Sequence, residues 1–179
     1  MKRKLQIGVF GSMADLGYEE KIACAAEQIG MEIARSGNIT VFGAEKDADS
    51  LSTAACRGAK KAGGLTVGIT YGKGKVCFEE DIDVIIATGL DRGGGREFVL
   101  ALSCDVVIAI SGGSGTLNEL VVAYQADIPM VCLKGLGGWS DTLAGTYLDA
   151  RNRRKCIAAN SPKEAVERAI AEANGRKTV

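Results

Sequence analysis

The stretch AISGGSGTLNEL, residues 109–120, ends an apolar run in glycines and hydroxyl residues and then opens a helical pattern with a glutamate about a turn in. Glycines at 112, 113 and 115 let bare backbone N–H groups approach a ligand closely. A helix that starts there adds the positive end of its dipole, and Ser114 and Thr116 add hydroxyls. This is the chemistry of an anion site. Thr116-x-x-Glu119 also matches the capping box that ties off free amides at a helix start. Capping, however, gives no reason for Gly112, Gly113 and Gly115. An anion site is therefore expected, with Thr116 free to cap when it is empty.

Arg96 is the second candidate. It follows Gly93-Gly94-Gly95 and begins a helical pattern with Phe98, Val99 and Leu102. A cation in a first turn is opposed by the helix dipole, so something negative should lie beside it. Glu97 could be that partner, and a solvated arginine is the other plain reading. A second anion-type loop one strand away favours phosphate instead.

Other chemistries are pruned by what the chain lacks. It has no histidine, which removes histidine-based triads and most zinc sites. Neither GxGxxG at a first βαβ unit nor GxxxxGK[ST] occurs, so dinucleotide and P-loop mechanisms have no support. Asp47 with Asp49, and Asp81 with Asp83, read as turn formers, and neither a metal nor a cofactor is expected. A mononucleotide or phosphorylated sugar suits one compact anion pocket.

Those residues must be held by something. Apolar, β-branched runs recur at 5–10, 39–43, 65–70, 84–88, 106–110, 129–133 and 155–159. They are continuous rather than alternating, as in parallel strands covered on both faces. Helical patterns lie between most of them. Ile22, Ala26, Ile29 and Ile33 make one stripe closed by Gly37, and Ser161-Pro162-Lys163-Glu164 opens the last helix with an N-cap, a proline and a capping acid. The expected fold is α/β: a doubly wound, mostly parallel, Rossmann-like sheet of about seven strands, helices on both faces, in a single domain over residues 1–179. Ligands in such sheets bind beyond the carboxyl ends of the strands. Three strand ends are unusual: Gly11-Ser12, Thr88-Gly89 running on to Gly95-Arg96, and Ser111 to Thr116. Gly11, Ser12, Thr88, Gly89, Gly95, Gly112, Gly113, Ser114, Gly115 and Thr116 are the expected phosphate-binding set.

With 22 basic and 22 acidic residues, no global field draws in nucleic acid or an anionic membrane. The basic runs at 2–4 and 151–155 have no aromatic neighbours suited to base stacking. Six singly scattered cysteines read as reduced thiols of a cytoplasmic protein, and no segment is apolar for long enough to span a membrane. Beyond the anion loop, Leu117, Leu120, Val121, Tyr124 and Ile128 form the stripe expected on the sheet, turning Glu119 to the other side. Val122, Ala123 and Ala126 make that second face apolar, which suggests a homodimer or higher homo-oligomer, or else packing under a loop of the same chain.

SGGSGTLNE resembles the PGGxGTxxE motif of the LOG phosphoribohydrolases, and Arg96 stands where their motif arginine stands. VFGS, RGAKKAGGLTVGIT, SCDVVIAI and SPKEAV extend the likeness through most of the chain. Within that superfamily, GLDRGGGREFVLALSCDVVIAISGGSGTLNEL is similar to the small DprA-related, LOG-like branch that includes molybdenum cofactor carrier-like proteins. The resemblance implies Arg96 and Glu119 as a catalytic pair that cleaves the N-glycosidic bond of a nucleoside 5′-monophosphate. Gly112, Gly113, Gly115 and Thr116 would hold the phosphate. A carboxylate there could stabilise an oxocarbenium-like sugar and orient water. The chain departs from the pattern at three places: Ser111 replaces the proline, Glu97 replaces a lysine, and FGAEKDADSLSTA replaces a glycine-rich segment. Two functions stay open, a phosphoribohydrolase and a carrier of a phosphorylated ligand such as a pterin cofactor. Handling of single-stranded DNA is disfavoured by the charge balance.

Overall fold

The computed structural model describes residues 3–175, so Lys2 of the first basic run lies outside the described residues. Each of the seven apolar runs forms a strand: β1 (Gln6–Gly11), β2 (Ile39–Gly43), β3 (Leu65–Thr70), β4 (Val84–Ala87), β5 (Val106–Ile110), β6 (Met130–Leu133) and β7 (Ile157–Ala159). All neighbours pair parallel, in the order β4-β3-β2-β1-β5-β6-β7. The six helices are α1 (Glu20–Arg35), α2 (Leu51–Lys61), α3 (Arg96–Leu102), α4 (Ser114–Gln125), α5 (Gly138–Leu143) and α6 (Pro162–Gly175).

Central strands are apolar on both sides because both sides are covered. Ile7, Val9 and Ile108 pack with α1, α2 and α6. Phe10, Val41, Val107 and Ala109 pack with Leu100 of α3 and Leu120 and Ala123 of α4. The α1 stripe Ile22, Ala26, Ile29 and Ile33 is buried as its spacing requires. Its neighbour α2 approaches it at van der Waals contact: a methyl group on Gly30 would stand 1.9 Å from the carbonyl oxygen of Ala55, and one on Gly58 1.9 Å from that of Glu27. At the start of α6 the Ser161 hydroxyl accepts the Glu164 N–H at 3.2 Å, and the Glu164 carboxylate accepts the Asn160 N–H at 2.7 Å. The capping box is present with its return bond one residue early. No helix among the described residues is long and apolar enough to cross a membrane.

The chain builds outward from β1 to β4, then returns to lay β5 on the other side of β1. The connections leaving β1 and β5 therefore diverge, which opens a crevice at their carboxyl ends. Strand β4 is the edge. Val84 and Ile86 register with Val67 and Ile69 and share their side of the sheet, yet stay half exposed because α3 stops short of them.

On α4 the expected stripe is corrected. Thr116, Glu119, Leu120, Val122, Ala123 and Tyr124 are buried, whereas Val121 is exposed. The helix begins at Ser114, and this phase turns Glu119 inward over the strand ends. Val122 and Ala123, read as an outer face, are covered by the same chain.

Candidate functional site

Strands β1 and β5 end in turns that hold each other. Ser111 adopts φ 51° and Gly112 φ 101°, and the Gly112 N–H donates to the Ser12 hydroxyl at 2.9 Å. The left-handed angle at Ser111 is closed to proline, whose ring fixes φ near −65°. The serine at the motif's proline position thus matches the turn that this chain makes. From beneath, the Trp139 and Ser140 N–H groups donate to the Gly112 and Ser111 carbonyls at 3.0 and 2.9 Å. A methyl on Gly138 would meet the Ser111 carbonyl carbon at 2.5 Å, so only glycine lets α5 approach this closely. The run GLGGWSD, residues 135–141, supports the anion loop, although nothing in its composition marks it as more than a turn.

The N-cap of α4 is Gly113, and no side chain caps the helix. Thr116 is a third helical residue, and Glu119 lies in the second turn, so the alternative reading of Thr116 and Glu119 as a capping box is not met. The amides of Ser114, Gly115 and Thr116 belong to the first turn, where no intrahelical acceptor exists. They face a cavity of about 240 Å³ lined by Gly11, Met13, Gly43, Glu45, Arg96 and Glu119 among others. A second hollow of about 180 Å³ shares Gly11, Met13 and the α4 start, and adds Ser12, Asp15, Leu16 and Gly113. Leu16, from the 3-10 turn Ala14–Leu16, lies where a methyl on Gly113 would come within 2.7 Å of it.

Arg96 reaches the cavity from the start of α3. Its guanidinium passes so close over β2 that a methyl on Gly43 would sit 2.2 Å from Nη1, and that nitrogen is buried with no hydrogen-bond partner. Nη2 donates to Glu45 at 3.0 Å, and Nε donates to Glu97 at 3.2 Å. Arg92 adds a longer bond of 3.4 Å to the other oxygen of Glu45. Glu97 also accepts the Gly93 N–H at 3.0 Å, fixing the loop before α3. Arg96, Glu45 and Glu97 are all at least 95% buried. Burial works against the charge on Arg96. The carboxyl groups of Glu45, Glu119 and Glu97 outweigh it and hold the guanidinium above its ordinary pKa.

Glu119 completes the wall, and its carboxyl makes no hydrogen bond to a side chain among the described residues. Its pKa rises from the ordinary 4.5 to about 8, chiefly through burial; Arg96 pulls it back, and Glu97 and Glu45 push it further up. The shift favours the uncharged acid. The cavity thus has two chemical ends: the start of α4, and a closed cluster in which Arg96 and Arg92 are bonded to Glu45 and Glu97 beside the Glu119 carboxyl.

The structure brings Gly11, Arg96, Ser114, Gly115, Thr116 and Glu119 together in one cavity. Ser12 and Gly113 line the adjoining hollow. Gly112 is consumed by the turn. Thr88 and Gly89 bond to the β3 end, Thr88 Oγ1 donating to the Thr70 carbonyl at 3.0 Å and the Gly89 N–H to the Gly72 carbonyl at 2.9 Å. They lie three strands from β1, and neither lines the cavity. Gly95 packs on Leu90 instead. Glu45, Arg92 and Met13 are cavity residues that the sequence did not single out, although Glu45 stands just past the carboxyl end of β2, where the strand-end rule points. The acids considered for a cation are engaged elsewhere: Asp49 with Arg57, Asp47 with Tyr71, and Asp81 and Asp83 with Lys60.

The SLOG cluster4 family model matches residues 4–166. The chain belongs to that family. A protein of Archaeoglobus fulgidus described as uncharacterized is 32% identical over 130 residues, 73% of this chain and 80% of that one. Among solved structures, the molybdenum cofactor binding protein of Rippkaea orientalis is similar at 30% identity with a TM-score of 0.79, covering 96% of this chain and 99% of that one. The molybdenum cofactor carrier protein of Chlamydomonas reinhardtii gives 29% and 0.76, covering 97% and 100%. DNA processing protein A of Helicobacter pylori, at 13% identity and a TM-score of 0.66 over 94% of this chain and 81% of its own, shares the fold alone. The nearly full-length likenesses of this SLOG chain thus include proteins named for the molybdenum cofactor.

Proposed function

We propose that this protein binds and carries a phosphorylated small molecule of the molybdenum-cofactor kind, its phosphate seated on the amides of Ser114, Gly115 and Thr116 at the start of α4. The observation that carries this reading is the state of the Arg96 cluster. Hydrolysis of an N-ribosyl bond by the resemblance's pair would need an ionised carboxylate to stabilise a cationic sugar and orient water. Arg96 is instead bound to Glu45 and Glu97, and burial raises the Glu119 pKa to about 8, which favours the uncharged acid. Binding needs neither group to turn over. The carrier and binding proteins similar to this chain over most of its length support the same reading. The two hollows that share the α4 start leave room for the rest of such a ligand beside its phosphate.

A nucleoside 5′-monophosphate phosphoribohydrolase is the second reading, favoured by Arg96 and Glu119 sharing one cavity. One experiment separates the two. The protein is incubated with a panel of nucleoside 5′-monophosphates and assayed for free base and ribose 5-phosphate. In parallel it is titrated with molybdenum cofactor released from a molybdoenzyme. Retention of the cofactor through gel filtration with no base released is the expected result. Base release that is lost in Glu119→Gln, with binding kept, would establish the hydrolase.

We also infer a homodimer, seated on a different face from the one the sequence suggested. Phe98 and Leu102 of α3, Val121 of α4, and Val84 and Ile86 of β4 are large apolar residues left between 39 and 59% exposed.

A further inference from the structure

Glu45 has no counterpart in the motif that the chain resembles, yet it is 95% buried and bound to Arg96 in the cavity wall. Its neighbours make it an unusual choice. Glu97 already gives Arg96 a counter-ion at 3.1 Å, so a second carboxylate is not needed to neutralise the guanidinium. A buried carboxylate beside an anion site repels any second negative group brought there. Nε and Nη2 of the arginine that could clamp a ligand phosphate are thereby engaged, leaving only Nη1, which is packed over Gly43, and Arg92 is drawn to the same acid. The open amides of α4 remain as the place for an anion.

We propose that Glu45 determines the charge class of the ligand. Resting on the reading that α4 binds a phosphate, it keeps anions off the Arg96 end, which then accepts only an uncharged polar group. The cavity therefore selects compounds that place one phosphate at α4 and bring no second acidic group to the Arg96 end. Polyphosphates and ligands with a second acidic group close to the first are rejected.

The test is calorimetric titration of wild type, Glu45→Gln and Glu45→Asp with inorganic phosphate and with pyrophosphate. Wild type is expected to bind phosphate and to bind pyrophosphate no more tightly. Glu45→Gln, whose Arg96 still has Glu97, frees guanidinium donors and should bind pyrophosphate at least about tenfold more tightly than wild type, with a smaller change for phosphate. Glu45→Asp keeps the charge and should keep the wild-type preference, which separates charge from altered packing. Unchanged pyrophosphate affinity in Glu45→Gln, or an equal gain in Glu45→Asp, overturns the role of Glu45 while leaving the phosphate site standing. Failure of wild type to bind phosphate at all removes the α4 reading itself, and the selectivity goes with it.

Discussion

Glu119 is the residue whose behaviour differs most from what its type suggests. A carboxyl with a native pKa of about 8 and an ordinary value of 4.5 binds more protons folded than unfolded at intermediate pH. Stability then falls as pH rises. The contribution is complete below about pH 4.5, shrinks between 4.5 and 8, and is flat above. Glu119→Gln is neutral at all pH, so its stability should lack that decline. By urea denaturation the variant is expected to match wild type near pH 4.5 and to exceed it by on the order of a few kcal/mol near pH 8.5. Parallel pH profiles for the two proteins would mean that Glu119 is ionised in the native state. That outcome would restore the carboxylate that the hydrolase reading needs. The type and position of Glu119 were plain in the motif, but its environment was not. Its proton is held by burial and by two acids from β2 and α3, and no local spacing shows that those three meet.

At the scale of elements, legibility followed the range of the forces. Seven strands could be read because each is apolar along its length; the central ones are so because both faces are covered, and β4 is so although its residues stay partly exposed. The α1 stripe and the α6 cap could be read because they depend on neighbours within two turns. The phase of α4 was read only in part: Leu120, Tyr124 and Ile128 are core as expected, but the inward face also carries Thr116 and Glu119, polar residues lining a cavity. Hydrophobic periodicity therefore included the exposed Val121 and left Glu119 out. The contact of α1 with α2 was equally hidden. Gly30 and Gly58 look like tolerated glycines in helical patterns, but each removes a side chain that would strike the opposite backbone. Alanine ordinarily stabilises a helix over glycine by about 1 kcal/mol. Here Gly30→Ala and Gly58→Ala should each destabilise, by about 1–3 kcal/mol or more, because a backbone cannot yield as a side chain can. Thermal or urea melts would check this, and a gain in stability would mean that the two helices stand further apart.

For the whole molecule, the order of the strands explains why the site lies between β1 and β5 and why the β4 end, expected to share it, does not. Thr88 and Gly89 sit at the sheet edge, and the connection that follows must travel back across two strands to deliver Arg92 and Arg96. Strand order arises from long-range packing and left no mark in the runs themselves. The same arrangement leaves Val84 and Ile86 of β4 half exposed, as Phe98 and Leu102 of α3 also are, and we infer that they form one apolar patch. A neutral protein has little charge repulsion between copies, and a patch of this kind is stabilised by burial against its own twofold image. Phe98→Asp combined with Leu102→Asp places like charges across such an interface without touching Arg96 or Glu97, which point inward from the same helix. Sedimentation should therefore report a dimer for wild type and a monomer for the double variant, with phosphate affinity kept because the cavity is formed within one chain. A wild-type monomer at tens of micromolar, or a double variant that still dimerises, would place the self-association surface elsewhere or remove it.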